Sequence, residues 1–211
     1  MKLLDELKSA RFMVIARRVP QTKIVRVAEA LSRAGIRFLE ITFDPSDPDT
    51  LQDTAKKLHL VRKSFPEMHL GCGTVLSEAM AETAAEAGAE FCLAPNTRKS
   101  VIDCCRKHHI AAFPGAYTPC EIADAWEMGA DAVKIFPVQP GEEKYVTNVM
   151  SPLSHIPFLV TGGVNPETIH AMLSTGALAV AAGASIVSAA VLAADDYGKI
   201  TELARKHLER I

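Results

Sequence analysis

The stretch Gly129-Ala130-Asp131-Ala132-Val133-Lys134-Ile135-Phe136-Pro137 holds the unit from which the whole chain is built. A glycine ends one element, and a short apolar run rich in Val and Ile then opens the next and stops at a proline. A run of that length and composition reads as a buried strand, and the glycine ahead of it as the end of a helix. Gly88-Ala89 and Gly176-Ala177 repeat the signal, each just before another apolar run. Working outward in both directions, strands are expected at 12–16, 36–43, 68–73, 91–94, 110–113, 132–136, 156–160 and 178–182. Helices are expected at 20–34, through 63, and at 77–87, 98–107, 119–128, 142–150, 166–174 and 185–210. Eight strand-helix units behind a short N-terminal helix predict an α/β fold, a (β/α)8 TIM barrel occupying residues 1–211 as one domain. A doubly wound open sheet shares the alternation, but no G-x-G-x-x-G marks a dinucleotide crevice.

Composition narrows the function. The formal net charge of the 211 residues is -2, which gives no electrostatic case for nucleic acid or an anionic membrane as partner. The N-terminal Met1-Lys2-Leu3-Leu4-Asp5-Glu6-Leu7 has early charges and no long apolar core, so it reads as neither signal peptide nor anchor. The five cysteines form no C-x-x-C pair and suit a reduced, cytoplasmic setting. The seven histidines show no H-E-x-x-H or comparable ligand spacing, so no metal site is expected.

Lys134 is the residue that asks for an explanation. Strand side chains alternate between faces, so Ala132, Lys134 and Phe136 share one side while Val133 and Ile135 take the other. If both faces are covered, Lys134 points inward. It is then either a structural lysine whose ammonium snorkels to water or a carboxylate, or an amine kept neutral by desolvation and able to form a Schiff base. The run Phe38-Leu39-Glu40-Ile41-Thr42-Phe43 alternates likewise and turns Glu40 inward, either to balance a buried cation such as Lys134 or Arg17, or as a general acid/base.

Active sites of such barrels collect at the C-terminal ends of the strands. Gly71-Cys72-Gly73-Thr74 ends the third strand with two glycines that would let backbone approach a ligand, or simply make a tight turn. Thr161-Gly162-Gly163 and Gly183-Ala184-Ser185 end the seventh and eighth, where barrels hold phosphate on backbone N–H groups and helix N-termini. Arg17, at the end of the first strand, is either a surface arginine or a bidentate carboxylate clamp.

Together with Phe113-Pro114-Gly115 and Lys134-Ile135-Phe136-Pro137, these segments resemble the 2-keto-3-deoxy-6-phosphogluconate aldolase / 4-hydroxy-2-oxoglutarate aldolase family, essentially from end to end. The resemblance implies a class I lyase without cofactor or metal, usually a homotrimer, that reversibly splits a 2-keto-4-hydroxy acid, phosphorylated or not, into pyruvate and an aldehyde. By position it makes Lys134 the Schiff-base lysine and Glu40 the acid/base. Thr74 and Thr161 would hold the keto-acid end, Pro95 and Phe136 shape the pocket, and Gly162, Gly163 and Ser185 bind a phosphate. Arg17 matches an arginine found in part of the family. The chain departs from the family at Asp44, where several members carry an arginine shortly after Glu-x-Thr, at Ala94-Pro95-Asn96, and at Val160. A barrel isomerase or synthase working without a Schiff base, and a non-catalytic metabolite-binding barrel, are the competing readings.

Overall fold

The computed structural model describes residues 2–211. Helix α1 (Lys2–Ala10) precedes β1 (Phe12–Ala16), and strands and helices then alternate: α2 (Ile24–Ala34), β2 (Phe38–Thr42), α3 (Thr50–Ser64), β3 (His69–Gly73), α4 (Glu78–Glu86), β4 (Phe91–Leu93) and α5 (Lys99–Lys107). The second half holds β5 (Ala111–Phe113), β6 (Gly115–Ala116), α6 (Pro119–Glu127), β7 (Val133–Ile135), α7 (Glu143–Met150), β8 (Phe158–Thr161), α8 (Ile169–Leu173), β9 (Ala179–Ala182), α9 (Ala189–Ala193) and α10 (Tyr197–Leu208). Gly88, Gly129 and Gly176 are left-handed (φ 84, 98 and 96), as the glycine punctuation requires.

All strand pairs are parallel, in the order β5-β4-β3-β2-β1-β9-β8-β7-β6. The two ends of that order are halves of one stave, parted by Pro114, which has no N–H to give to a ladder. Lys134 N donates to Pro114 O (2.8 Å) and Phe136 N to Ala116 O (3.0 Å), while Ala94 N donates to Phe113 O (3.2 Å) on the other side. Eight staves therefore close into the expected barrel.

Alternation divides the core into two layers. Leu39, Ile41, Val133, Ile135 and Val160 face outward and pack under the helices. Inside, Phe38, Phe91, Leu93 and Phe113 fill the side of β2 to β5, whereas Ala132, Ala179 and Ala181 line the side of β7 to β9. Leu159 on β8 and Met13 on β1 also face inward, but the three alanines leave more room on their side than the aromatic rings leave on theirs.

Helix α1 closes the N-terminal end, its buried Leu7 joining the interior cluster. A charge network rings this floor. His69 Nε2 lies 2.7 Å from a Glu6 oxygen and its Nδ1 lies 2.6 Å from a Glu90 oxygen. Arg37 pairs with Glu6 at 3.0 Å, Arg62 pairs with Glu90 at 2.5 Å, and Phe38 stacks on the imidazole at 4.5 Å.

Three helices differ from expectation, and the simplest case is α8, which starts at Ile169 after a turn over 166–168 rather than at Pro166. Pro20 starts a turn, with Lys23 N donating to Pro20 O (2.9 Å), and α2 begins only at Ile24. The long final helix is broken in two: Ser188 caps α9 through Val191 N, and after left-handed Asp195 (φ 52) the Asp196 carboxylate caps α10 through Lys199 N. Ser185 lies ahead of the first cap and so does not start a helix.

Candidate active site

The alternation that turns Phe38 inward also places Glu40 on the interior face of β2, where it is 1% exposed. Lys134, on β7, is 4% exposed. Neither is neutralised by direct contact: among the described residues no ion pair or hydrogen bond joins them, and Glu40 Oε2 has no partner. Lys134 Nζ sits instead 4.7 Å from the centroid of the Phe136 ring. Burial pushes the Glu40 carboxyl above its ordinary range, opposed by the charges of Lys134 and Arg17. Burial likewise lowers the Lys134 ammonium, with Glu40 pulling it back up and Arg17 pushing it further down. The carboxyl is thereby a better proton carrier near neutrality, and the amine gives up its proton more readily than a surface lysine.

A cleft of about 660 Å³ opens above Lys134 at the C-terminal ends of the strands, and Glu40 is not among the residues that line it. Among the residues that the sequence singles out, Arg17, Lys134, Phe136, Thr161, Gly162, Gly163 and Ser185 line it, and Ile15, Ala181 and Gly183 give it an apolar wall. Thr161 Oγ1 is buried and has no partner. Gly162 and Gly163 are both left-handed (φ 105 and 56), and a Cβ on Gly162 would come within 2.7 Å of Val138 O, so this loop needs glycine on both counts. The N–H groups of Gly162, Gly163, Ala184 and Ser185 have no acceptor among the described residues.

The two glycines at the end of β3 do something other than admit a ligand. Gly71 is the register partner of Glu40, and Gly73 that of Thr42. A Cβ on Gly73 would overlap the Glu40 carboxylate, and one on Gly71 would overlap the Phe91 ring. Their missing side chains make space for an acid and an aromatic supplied by neighbouring strands. Thr74, next in line and left-handed (φ 58), is half-buried and does not line the cleft. Pro95 lines a separate cavity of about 340 Å³ that shares Phe136 with the main one.

Asp44 is occupied by Arg18, whose Nε lies 3.1 Å from its carboxylate, and by the N–H and hydroxyl of Ser46. The Ser46 hydrogen bonds, followed by the Arg18 charge, hold this carboxyl below its ordinary range. Arg17 makes no ion pair among the described residues and faces the cleft with its charge free.

One neighbour escaped the sequence reading as a site residue. Thr42, two positions beyond Glu40 on the same face, is 5% exposed and its Oγ1 has no partner. The alternation that found Glu40 contains that signal. Glu40, Thr42 and Thr161 thus present three unpartnered buried oxygens on the inner face that carries Lys134.

Among the described residues no cluster of His, Cys, Asp and Glu is arranged to hold a metal ion, and no helix is long and apolar enough to cross a membrane.

Comparison with known proteins places this geometry. The profile of the KDPG and KHG aldolase family matches residues 3–203. The KHG/KDPG aldolase of Escherichia coli (strain K12) is 30% identical over 186 residues, 88% of this chain and 84% of its own length. The KDPG aldolase of Legionella pneumophila, solved with pyruvate captured at low pH as a covalent carbinolamine, is 23% identical over 96% of each chain with a TM-score of 0.82. The 2-keto-3-deoxy-6-phosphogluconate aldolase of Zymomonas mobilis ZM4, solved with 3-phosphoglycerate, is 26% identical with a TM-score of 0.79, over 98% of this chain and 95% of its own. With the profile spanning the barrel from α1 into α10, the chain belongs to the KDPG and KHG aldolase family and is an aldolase, a lyase.

Proposed function

We propose that the protein reversibly cleaves a 2-keto-4-hydroxy acid into pyruvate and an aldehyde through a Schiff base on Lys134. The observation that carries this reading is an amine buried without a counter-ion in contact, beside an unpartnered buried carboxyl, under an open cleft. A cation in that position costs several kcal/mol of desolvation, roughly, which a purely structural lysine would relieve by pairing.

The chemistry follows from the two groups. Neutral Lys134 attacks the C2 carbonyl, and Glu40 supplies the proton that lets the carbinolamine lose water and become an iminium. A base takes the proton of the C4 hydroxyl, the C3–C4 bond breaks, and its electron pair moves into the iminium to give an enamine. In this reading Glu40, left as a carboxylate by the previous step, accepts that proton. The aldehyde leaves, the enamine takes a proton at C3, and water attacks the resulting iminium to release pyruvate and restore the amine. The Legionella pneumophila relative holds pyruvate as a covalent carbinolamine, the species that water forms from the pyruvate iminium before release, which supports the same path here.

Arg17 is the free cation for the substrate carboxylate, since Asp44 engages Arg18. Thr161 offers its hydroxyl to the keto-acid end, and Thr42, Thr74 and Pro95 act from outside the cleft wall. The unused N–H groups of Gly162, Gly163, Ala184 and Ser185 suit a phosphate at the far end of the substrate, and the Zymomonas mobilis relative bound to 3-phosphoglycerate supports a phosphorylated one. Assembly as a homotrimer and a cytoplasmic setting complete this reading. Sedimentation tests the first.

The deciding experiment is reductive trapping. Pyruvate with borohydride is expected to leave a covalent adduct on Lys134 by peptide mass spectrometry. An unmodified protein, or an adduct elsewhere, rejects the Schiff base, and turnover by Lys134→Ala would favour an isomerase or synthase instead.

A further inference from the structure

His207 lies on α10, outside the cleft, yet it is 0% exposed. It stacks on Phe12, with ring centroids 5.5 Å apart, and both ring nitrogens are engaged: Nδ1 lies 2.8 Å from Leu203 O, one turn back on its own helix, and Nε2 lies 3.1 Å from Ser185 Oγ. Ser185 Oγ also lies 2.9 Å from Val164 O. A chain of contacts therefore runs from α10 through the loop after β9 to the loop after β8, and both loops line the cleft.

The proton inventory decides what this chain does. Nδ1 faces a carbonyl, so it carries the ring hydrogen and donates to Leu203 O. Burial holds the imidazole below its ordinary value, against the Leu203 hydrogen bond and the charge of Glu167, so the ring is neutral and Nε2 is an acceptor. The one hydroxyl hydrogen of Ser185 is then shared between two acceptors, Nε2 and Val164 O, as a single three-centre bond. It has nothing left to donate to a ligand. Ser185 can give its proton to an anion only by releasing one of the two groups that it joins.

We infer that His207 is a positioning residue that, through Ser185, fixes the loops at Gly162–Val164 and Gly183–Ser185 at the spacing at which their free N–H groups face one anion. Ser185 acts as the link, and the backbone does the binding. The inference rests on the anion-binding role proposed for these loops, but not on the Schiff base. Nothing in it requires His207 to touch substrate.

Inorganic phosphate is the probe for the loops, and borohydride trapping of pyruvate is the probe for Lys134. His207→Leu and Ser185→Ala are each expected to weaken phosphate binding by calorimetry roughly five- to tenfold, the scale of one lost hydrogen bond. The double variant should lose no more than either single one, because both cut the same chain. His207→Gln, which puts an amide near the position of Nε2, should recover most of the affinity, and the pyruvate adduct should form in His207→Leu as in the parent. Wild-type phosphate affinity in His207→Leu, additive losses in the double variant, or a parallel loss of adduct overturns the inference. So does a parent protein that binds no phosphate. If His207→Leu does not fold, weakened Ser185→Ala beside intact His207→Gln upholds the link, and equal affinities refute it. A parent that forms no adduct but shows the coupled phosphate losses sinks the Schiff base and leaves the positioning role standing.

Discussion

The two ends of the barrel treat buried and half-buried charge in opposite ways. On the floor, Glu6, Arg37, Arg62, His69 and Glu90 form one connected set in which each acid has a basic partner within 3.0 Å. At the mouth, Glu40 and Lys134 are more deeply buried than any of these, yet they share no direct contact, and the oxygens of Glu40, Thr42 and Thr161 have no partner. Lys57 sharpens the contrast, because this lysine is also buried but is joined to Asp53 one helical turn away. Unpaired buried polar groups cost stability, and apart from His108 Nε2 at the end of α5 those of the described residues are gathered here, where a bound molecule could satisfy them. On the proposed function, the floor serves the fold and the mouth is kept for a substrate at the fold's expense.

If that division is right, removing a mouth charge harms activity and helps stability. Lys134→Met is expected to show the largest effect, a loss of cleavage activity of roughly 10⁴-fold or more, with a thermal midpoint that rises by about 2–4 °C. A destabilised Lys134→Met would mean that the ammonium is paired in solution and that the contrast fails. Glu40→Gln comes next, with an expected loss of about 10²- to 10⁴-fold in turnover and pyruvate trapping that is slowed but still confined to Lys134. An adduct that forms at the parent rate would remove Glu40 from the proton transfers of iminium formation.

How much of this could be read in the sequence depends on how local the determinants are. The glycine signals at Gly88, Gly129 and Gly176 and the alternation of short apolar runs are local, and they yielded the barrel and the inward aim of Lys134 and Glu40. Pro114 also stood in plain view, but that it splits one stave between two neighbours is a property of closure. Ser185 to Arg210 read as one helix because its alanines are strong helix formers, whereas the caps at Ser188 and Asp196 win. The roles of Gly71 and Gly73 were misread for a cross-strand reason: the side chains that fill their gaps come from β2 and β4 and are set by register. The floor network was invisible, since its members are spread from position 6 to position 90. His207, likewise, is unremarkable among seven histidines until α10 brings it under the loop that holds Ser185.

The floor should answer to mutation in the reverse sense. His69→Leu removes the group that joins α1 to β3 and to the residue before β4, leaving Glu6 and Glu90 each without one of its partners. Its expected cost is about 2 kcal/mol in urea unfolding, the scale of hydrogen bonds to charged groups. Turnover per folded molecule should stay near the parent value, because the network sits at the opposite end of the barrel from Lys134. A fall in turnover comparable with that of Glu40→Gln would show that the two ends are coupled and that the division of labour is not real.

The smallest effect, and the one that separates the ends most directly, is the pH dependence of stability, read on two glutamates of opposite sign. Glu40 has its folded pKa raised above the unfolded value near 4.5, chiefly by burial, so the native state holds the proton more tightly than the unfolded one. Its contribution is full at low pH and is lost as pH rises from 4.5 through the folded value. For Glu90, burial acts upward but is outweighed by the hydrogen bonds and charges of His69 and Arg62, which bring its folded pKa below 4.5. Its contribution is present above 4.5 and is lost as pH falls through the folded value. Urea unfolding at a series of pH values should therefore show Glu40→Gln flattening the slope on the neutral side of 4.5 and Glu90→Gln flattening it on the acid side. If both substitutions changed the same limb, the two carboxyls would have similar environments, and the mouth could not be distinguished from the floor by the treatment of its charges.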